Sequence, residues 1–142
     1  MTAFTAAYIL LMHVTGQYGP EYEANPLDLL FIVIVPLIVW YLGIKAKKKQ
    51  KKGKLSFTEG VKEGFQISLV YAITSPFVFG IYHVLINPAR VASLKPVYNL
   101  AGVSDMQIIL VDMLVQFISA IVFGTLYAAI ISYLLKSKSV KK

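Results

Sequence analysis

The sequence predicts an all-α integral membrane protein: a bundle of four transmembrane helices, with a short amphipathic interfacial helix before the third. Two observations support this prediction. The 142 residues are 57% hydrophobic and only 15% charged, whereas soluble domains have about 25% charged residues. The charges are also segregated, because no Asp, Glu, Lys or Arg occurs in residues 29–44, 65–89 or 113–135. Uncharged apolar stretches of about 18 residues or more are long enough to cross a bilayer.

Four apolar segments define the predicted spans, within a single membrane domain of residues 1–142. The first, residues 3–16, is short, so we expect a tilted helix or the remainder of a longer one. The second and third, residues 27–44 and 65–86, each contain a proline, which removes a backbone donor and is expected to kink the helix. The fourth, residues 107–135, is longer than a bilayer requires and should tilt or protrude.

Basic residues concentrate in two places that directly follow predicted spans. Four lysines follow the fourth span, and the loop 45–54 after the second span holds Lys45, Lys47, Lys48, Lys49, Lys51, Lys52 and Lys54. The other two connections are poor in basic residues. By the positive-inside rule, the basic loop and the C-terminus are cytoplasmic. Four spans then place the N-terminus inside as well, and we expect a multi-pass protein of the bacterial inner membrane.

The formal net charge of +7 would suggest nucleic-acid binding in a soluble protein. Eleven of the fourteen basic residues, however, flank hydrophobic runs, which is typical of residues that set membrane topology. We therefore expect no nucleic-acid partner. The seven lysines of the basic loop are instead expected to contact anionic lipid headgroups, at about 1 kcal/mol per residue near the surface.

The segment LSFTEGVKEGF, residues 55–65, has the features of a capped helix. Ser56 and Glu59 have the spacing of a capping box, in which each side chain bonds the other residue's backbone N–H. Apolar residues recur at helical spacing, so we expect the amphipathic interfacial helix here, turning into span three. Gly60 and Gly64 form a G-x-x-x-G step that would let another helix approach closely, although a simple bend between the two helices is the more ordinary interpretation.

This stretch resembles the family of small bacterial membrane proteins known as domain of unknown function 4199. The resemblance is carried by the basic loop, the Ser-Phe-x-Glu step and an aromatic-rich span that ends near a proline. It extends over spans two to four, and implies a four-helix membrane fold but no activity. The matching positions are Ser56, Phe57, Glu59, Lys62, Gly64, Phe65, Tyr82 and Pro88.

Small residues recur at four-residue spacing along the fourth span, at Ala120, Gly124, Ala128 and Ser132. In lipid such a stripe marks a close-packed helix interface, because small side chains let two backbones approach. We expect it to pack within the bundle. The alternative is self-association with a second copy, and a homo-oligomer or another membrane-protein partner stays open.

Four ionisable residues lie within or beside the predicted spans: His13, Asp28, His83 and Asp112. With the topology above, all four fall at the outer ends of their spans. Two histidines and two aspartates at one depth could pair, relay protons or hold a divalent metal. The ordinary interpretation is that they are polar helix ends at interfacial depth, and the two aspartates also suit helix N-termini. We expect no metal site and no cofactor.

The sequence contains no catalytic motif and no cysteine, so we expect a protein that is not an enzyme. The leading hypothesis is a non-enzymatic accessory or scaffold component of the membrane. The alternative is a small transporter or channel that uses the His/Asp cluster at the outer interface, with kinks at Pro36 and Pro76 opening a polar path. A membrane enzyme using the same residues is a third, weaker hypothesis.

Overall fold

The computed structural model describes residues 1–18 and 26–137, and its regular elements are helical. Helix α3 continues into a single π-helical turn, Tyr82–Ile86. The predicted all-α class is therefore confirmed. The helices are α1 (Thr2–Val14), α2 (Pro26–Gln50), α3 (Phe57–Ile81), α4 (Ala89–Val97) and α5 (Asp105–Leu135).

Three helices are long and apolar enough to cross a membrane: α2, α3 together with its π-helical turn, and α5. They have 25, 30 and 31 residues, and about 20 apolar residues are needed to cross. These are the properties of an integral membrane protein. Helix α1 is apolar but has 13 residues, which gives a length of about 20 Å against a hydrocarbon core of about 30 Å.

Helix α2 extends well beyond the second predicted span and takes up the first half of the basic segment. The expectation of a loop over residues 45–54 is therefore wrong up to Gln50. Lysine, alanine and glutamine are good helix formers, so the chain has no local reason to leave the helix after Ile44. The helix ends where Lys52 and Gly53 adopt positive φ values of 52° and 83°.

Helix α3 begins with the predicted capping box. The Ser56 hydroxyl accepts the Glu59 N–H at 3.2 Å, and the Glu59 carboxylate accepts the Ser56 N–H at 2.9 Å. The expected separate interfacial helix is not present, because α3 runs without interruption from Phe57 to Ile81. The amphipathic stretch forms its first two turns.

Helix α4 lies in a segment for which no helix was predicted. Pro88 precedes it and Pro96 lies in its last turn, which is why this segment resembles a loop in sequence. Val91 and Leu94 of α4 pack against Ile108 and Ile109 of α5 in a small apolar core. This core holds α4 against the start of α5.

The most extensive interface joins α3 to α5 through small residues. A Cβ atom built on Gly64 would lie 2.2 Å from the Ala128 Cβ, and one built on Gly60 would lie 2.5 Å from the Ser132 Oγ. A Cβ atom built on Gly124 would lie 2.3 Å from the Oγ of Ser68 in α3. The two backbones therefore approach as closely as glycine allows.

The predicted small-residue stripe thus lies inside the bundle for most of its length. Gly124, Ala128 and Ser132 are buried against α3, and Ala120 is half-buried. Trp40 of α2 closes the same region, and its indole N–H donates to the Gly64 carbonyl and the Ser68 hydroxyl, both at 3.1 Å. In this arrangement the stripe is not available to a second copy.

Candidate functional site: a buried polar network at one end of the bundle

One end of the bundle, called the polar end below, is formed by residues 8–18, 26–31, 80–100 and 104–113. Here α1 ends, α2 and α5 begin, and the π-helical turn and α4 lie between them. All four ionisable residues singled out in the sequence lie at this end: His13, Asp28, His83 and Asp112. The structure does not bring them together as one cluster. His83 faces Asp112, Asp28 accepts hydrogen bonds from two tyrosines, and His13 lies beside the Tyr82 hydroxyl.

Asp28, in the first turn of α2, accepts two tyrosine hydroxyls on the same oxygen. Tyr8 of α1 donates to its Oδ1 at 2.7 Å, and Tyr18 donates at 2.5 Å. The Tyr8 ring also stacks on Phe31, with 4.0 Å between centroids. Burial raises the pKa of the Tyr18 hydroxyl, and the hydrogen bond to the Asp28 carboxylate raises it further. The Tyr18 hydroxyl therefore keeps its proton and donates it in the hydrogen bond to the carboxylate.

Asp112, in the second turn of α5, forms the second cluster. Its Oδ2 lies 3.5 Å from Nε2 of His83, and its Oδ1 accepts the Tyr98 hydroxyl at 2.5 Å. The side chains of His83 and Asp112 are each only 5% exposed. Within the described residues, neither Nδ1 of His83 nor Oδ2 of Asp112 has a hydrogen-bond partner, so the two side chains face each other without a hydrogen bond. This is the most deeply buried ionisable pair described in the structure.

Tyr82 connects the two clusters. Its hydroxyl lies 3.2 Å from Nδ1 of His13 and accepts the side-chain amide of Asn87 at 3.2 Å. Its ring meets the Tyr18 ring edge-on at 6.4 Å and the His83 ring at 5.5 Å. His13 is therefore bonded to a tyrosine and to neither aspartate.

The π-helical turn makes this connection possible. Tyr82 and His83 are neighbours in sequence, yet both are buried, one facing His13 and the other Asp112. A π-helical turn inserts one residue more than an α-helical turn and often occurs at functional sites. The turn thereby joins α1 and α5 through adjacent residues of one segment.

Helix α4 adds a positive charge to the network. The Arg90 guanidinium lies 4.3 Å from the centre of the Tyr18 ring, and the residue is only 6% exposed. An arginine over an aromatic face is attracted by the ring's negative π-surface. The network thus contains two carboxylates and one guanidinium, separated by tyrosine rings.

Sequence reasoning missed most of the residues that organise this end. Tyr8, Tyr82 and Tyr98 lie near the ends of predicted spans, where tyrosines commonly anchor a helix at the lipid interface, but their hydroxyls bond to Asp28, His13 and Asp112. Tyr18, Asn87 and Arg90 were not singled out at all. The one available signal was that these tyrosines lie at the same span ends as the carboxylates.

In the described part of the chain, the ionisable groups of the polar end meet in pairs and with tyrosines. Within residues 1–18 and 26–137, no group of three or more His, Asp or Glu side chains could hold a metal ion. A cavity of about 320 Å³ lies between α1, α2 and α3, away from the His83–Asp112 pair. It is lined mainly by apolar atoms of Met1, Thr2, Val39, Gln66, Ile67, Val70 and Tyr71.

The opposite end, called the lysine end below, is formed by residues 45–60 and 132–137. Several lysines there are held by the protein. Lys47 pairs with Glu63 at 3.0 Å, Lys51 pairs with Glu59, and Lys48 donates to the Leu135 carbonyl at 2.7 Å. Lys45 lies 5.2 Å from the centre of the Tyr41 ring. Three lysines, Lys49, Lys52 and Lys54, are exposed and have no bonded partner in the described part of the chain.

A family model described as "Protein of unknown function (DUF4199)" matches residues 1–137. The match is longer than the sequence resemblance, because it includes α1 and the segment that contains α4. No curated protein and no solved structure matches the chain.

Proposed function

The chain belongs to the DUF4199 family, which has no assigned function, and we propose from its own residues that it is a non-enzymatic accessory or scaffold component of a bacterial inner membrane. The observation that carries this proposal is the internal pairing of the ionisable groups at the polar end, of which Asp112 and His83 are buried and Asp28 is half-buried. Asp28 and Asp112 each accept hydrogen bonds from tyrosines of other segments, and His83 faces Asp112. A group that serves catalysis or transport needs access to a substrate, whereas these groups hold helices to one another.

The tight α3–α5 interface supports the same proposal. Small residues let α3 and α5 pack in direct contact, which leaves no space for a substrate between these two helices. A bundle closed in this way is suited to holding a fixed shape within the membrane, which is what a scaffold requires.

We also propose that the protein spans the membrane four times, with the lysine end and both termini in the cytoplasm. Positive charge gathers at the lysine end, while the carboxylates Asp28 and Asp112 lie at the polar end. The positive-inside rule then orients the bundle. Helix α1 is short, and Thr2 and Thr5 contact Thr74 and Tyr71 well inside α3. Its crossing would therefore require local thinning of the bilayer around its N-terminal end.

Single-cysteine labelling tests this topology, because the chain has no cysteine of its own. Thr58→Cys places a thiol at the lysine end, and Ala101→Cys places one at the polar end; both positions are exposed. With a membrane-impermeant maleimide on intact cells, we expect labelling of Ala101→Cys and none of Thr58→Cys. The opposite pattern would contradict the proposed orientation. For the N-terminus, Ala3→Cys should behave like Thr58→Cys, and labelling of it from outside would contradict a four-span protein.

A second candidate function, a small proton or cation transporter, is favoured by one observation. The His83–Asp112 pair is buried, and its histidine lies in the π-helical turn; ionisable residues inside membrane segments often mark ion paths. Under this alternative the pair would take up the transported ion from the polar end.

Flux measurements separate the two candidates. Purified protein is reconstituted in vesicles that contain a pH-sensitive dye or a divalent-cation dye, and a gradient is applied. The accessory proposal predicts the same rate as protein-free vesicles. A rate that exceeds this background, and that Asp112→Asn abolishes while the variant stays folded, would establish the transporter and overturn the accessory proposal.

A further inference from the structure

Three helices of this protein end with the same backbone geometry. In each, the N–H of one residue bonds the carbonyl five positions back, and the preceding N–H bonds the carbonyl three positions back. The pairs are Gln17–Met12 with Gly16–His13 in α1, Gly53–Lys48 with Lys52–Lys49 in α2, and Leu100–Lys95 with Asn99–Pro96 in α4. This is the Schellman motif, which requires a left-handed residue just after the helix.

The residue in the left-handed position differs among the three ends. It is Gly16 in α1 with φ 74°, Asn99 in α4 with φ 54°, and Lys52 in α2 with φ 52°. Glycine and asparagine are the residues that adopt this conformation readily, whereas a lysine incurs a steric penalty from its Cβ. Lys52 is therefore the unfavourable choice for the fold at this position.

The Lys52 side chain offers no compensating contact within the described part of the protein. It is exposed, and neither an ion pair nor a hydrogen bond ties it to another described residue. Its neighbours Lys49 and Lys54 share this property. By contrast, Lys47, Lys48 and Lys51 are bonded to α3 or to the end of α5.

We propose that six of the seven lysines of the basic segment divide between two distinct roles. Lys49, Lys52 and Lys54 bind the phosphates of anionic phospholipids, while Lys47, Lys48 and Lys51 join α2 to α3 and α5. Lys52 keeps its unfavourable backbone conformation because its exposed ammonium group, in the turn after the helix, serves lipid binding.

The ligand is the lipid headgroup, because the segment directly follows a membrane-crossing helix. This inference rests on the proposed placing of the lysine end at the membrane surface. It refines the expectation from the sequence, in which all seven lysines contact lipid.

The test substitutes the left-handed residue at two of the three helix ends. Phosphatidylglycerol is titrated into the purified full-length protein in detergent, and bound lipid is counted by native mass spectrometry. Lys52→Gly should raise the Tm by about 3 °C, because strain is relieved, and should weaken the apparent Kd about fivefold, as expected for one surface lysine. Asn99→Gly is the matched control, and it should leave the Kd unchanged.

Two triple variants with the same charge change complete the test. Lys49→Gln with Lys52→Gln and Lys54→Gln should weaken phosphatidylglycerol binding at least tenfold and leave the Tm within a few degrees. Lys47→Gln with Lys48→Gln and Lys51→Gln should lower the Tm and retain most of the binding. Equal loss of binding in both triple variants, or an unchanged Kd in Lys52→Gly, would overturn the assignment of two roles.

Two further measurements complete the experiment. Binding of other ligands identifies what the lysines bind, and cysteine labelling separates this inference from the proposed topology. Phosphatidylcholine should bind all variants alike, and competition by inorganic phosphate at millimolar concentration would show that the site takes free phosphate and would overturn the lipid assignment. Labelling of Thr58→Cys from the cell exterior would contradict the topology alone, since lipid binding in detergent does not depend on orientation. Failure of the Kd predictions with correct labelling would contradict the inference alone.

Discussion

The polar end and the lysine end both bring charged groups from several helices together, but they differ in burial. At the polar end, His83 and Asp112 are each 5% exposed and depend on partners from other segments. At the lysine end, Lys51 and Glu59 are each 41% exposed. Water and lipid headgroups can replace a partner at the lysine end, whereas the buried His83–Asp112 pair is closed to both.

This difference determines what each end can contribute. A buried polar group that loses its partner costs about 1–3 kcal/mol, whereas an exposed ion pair contributes about 0–1 kcal/mol. The polar end is therefore suited to holding α1, α3, α4 and α5 in one arrangement. The lysine end contributes less to stability, and under the proposed topology its charge orients the chain at the membrane surface.

The largest expected effect comes from removing the Asp112 carboxylate. Asp112→Ala removes the carboxylate that accepts the Tyr98 hydroxyl and faces the buried His83, so we expect a loss of about 3 kcal/mol in the free energy of unfolding. Unfolding in mixed micelles with increasing dodecyl sulfate, followed by circular dichroism, measures it. The control is Asp105→Ala on the same helix, whose side chain is 67% exposed and pairs with Lys95. A loss of the same size in both variants would contradict the comparison.

The sequence was sufficient to predict which residues gather at which end. Once the apolar segments are placed, helices that alternate in direction bring His13, Asp28, His83 and Asp112 to one end and the lysines to the other. The capping box at Ser56 could also be predicted, because its two hydrogen bonds are local. Each of these predictions depends on spacing along the chain or on hydropathy.

The pairings could not be predicted, since they depend on how the helices are rotated against one another. Tyr82 illustrates this: its position near a span end fits a lipid-interface anchor, and only the π-helical turn directs its hydroxyl to His13. Helix α4 was missed for a related reason, because Pro88 and Pro96 suggest a loop and the helix is stabilised by packing on Ile108. The lysines beyond Ile44 were assigned to a loop because their charge obscured their helix propensity.

The second prediction concerns the other carboxylate of the polar end. Tyr18→Phe removes one of two hydrogen bonds to Asp28 and keeps the ring beneath Arg90, so we expect a loss of about 1–1.5 kcal/mol. The same micelle unfolding experiment measures it. Tyr133→Phe is the control, because Tyr133 is 63% exposed on α5, and its loss should be near zero. A larger loss for Tyr133→Phe than for Tyr18→Phe would show that burial does not decide the effect.

The third prediction compares the same local structure at both ends. Ser56 caps α3 at the lysine end and Ser104 caps α5 at the polar end, each in a capping box with exposed residues. Ser56→Ala and Ser104→Ala should each cost about 1 kcal/mol, since a lost cap leaves helix N–H groups without a protein acceptor. Equal losses would show that exposure, not the end of the bundle, determines the energy. Losses that differ by more than about 1 kcal/mol would indicate that one cap also supports the tertiary packing.

The smallest effect is expected from the Lys47–Glu63 ion pair, which joins α2 to α3 across the lysine end. The two side chains are 36% and 25% exposed, so solvent screens their attraction and the coupling should be no more than about 0.5 kcal/mol. A double-mutant cycle with Lys47→Gln and Glu63→Gln measures this coupling without counting the other contacts of either residue. It should fall further at high salt, because the screening length shortens to about 3 Å at 1 M. A coupling above about 1 kcal/mol that salt does not change would show that this pair is as strong as the buried interactions of the polar end. The lysine end would then contribute to the fold as strongly as the polar end does.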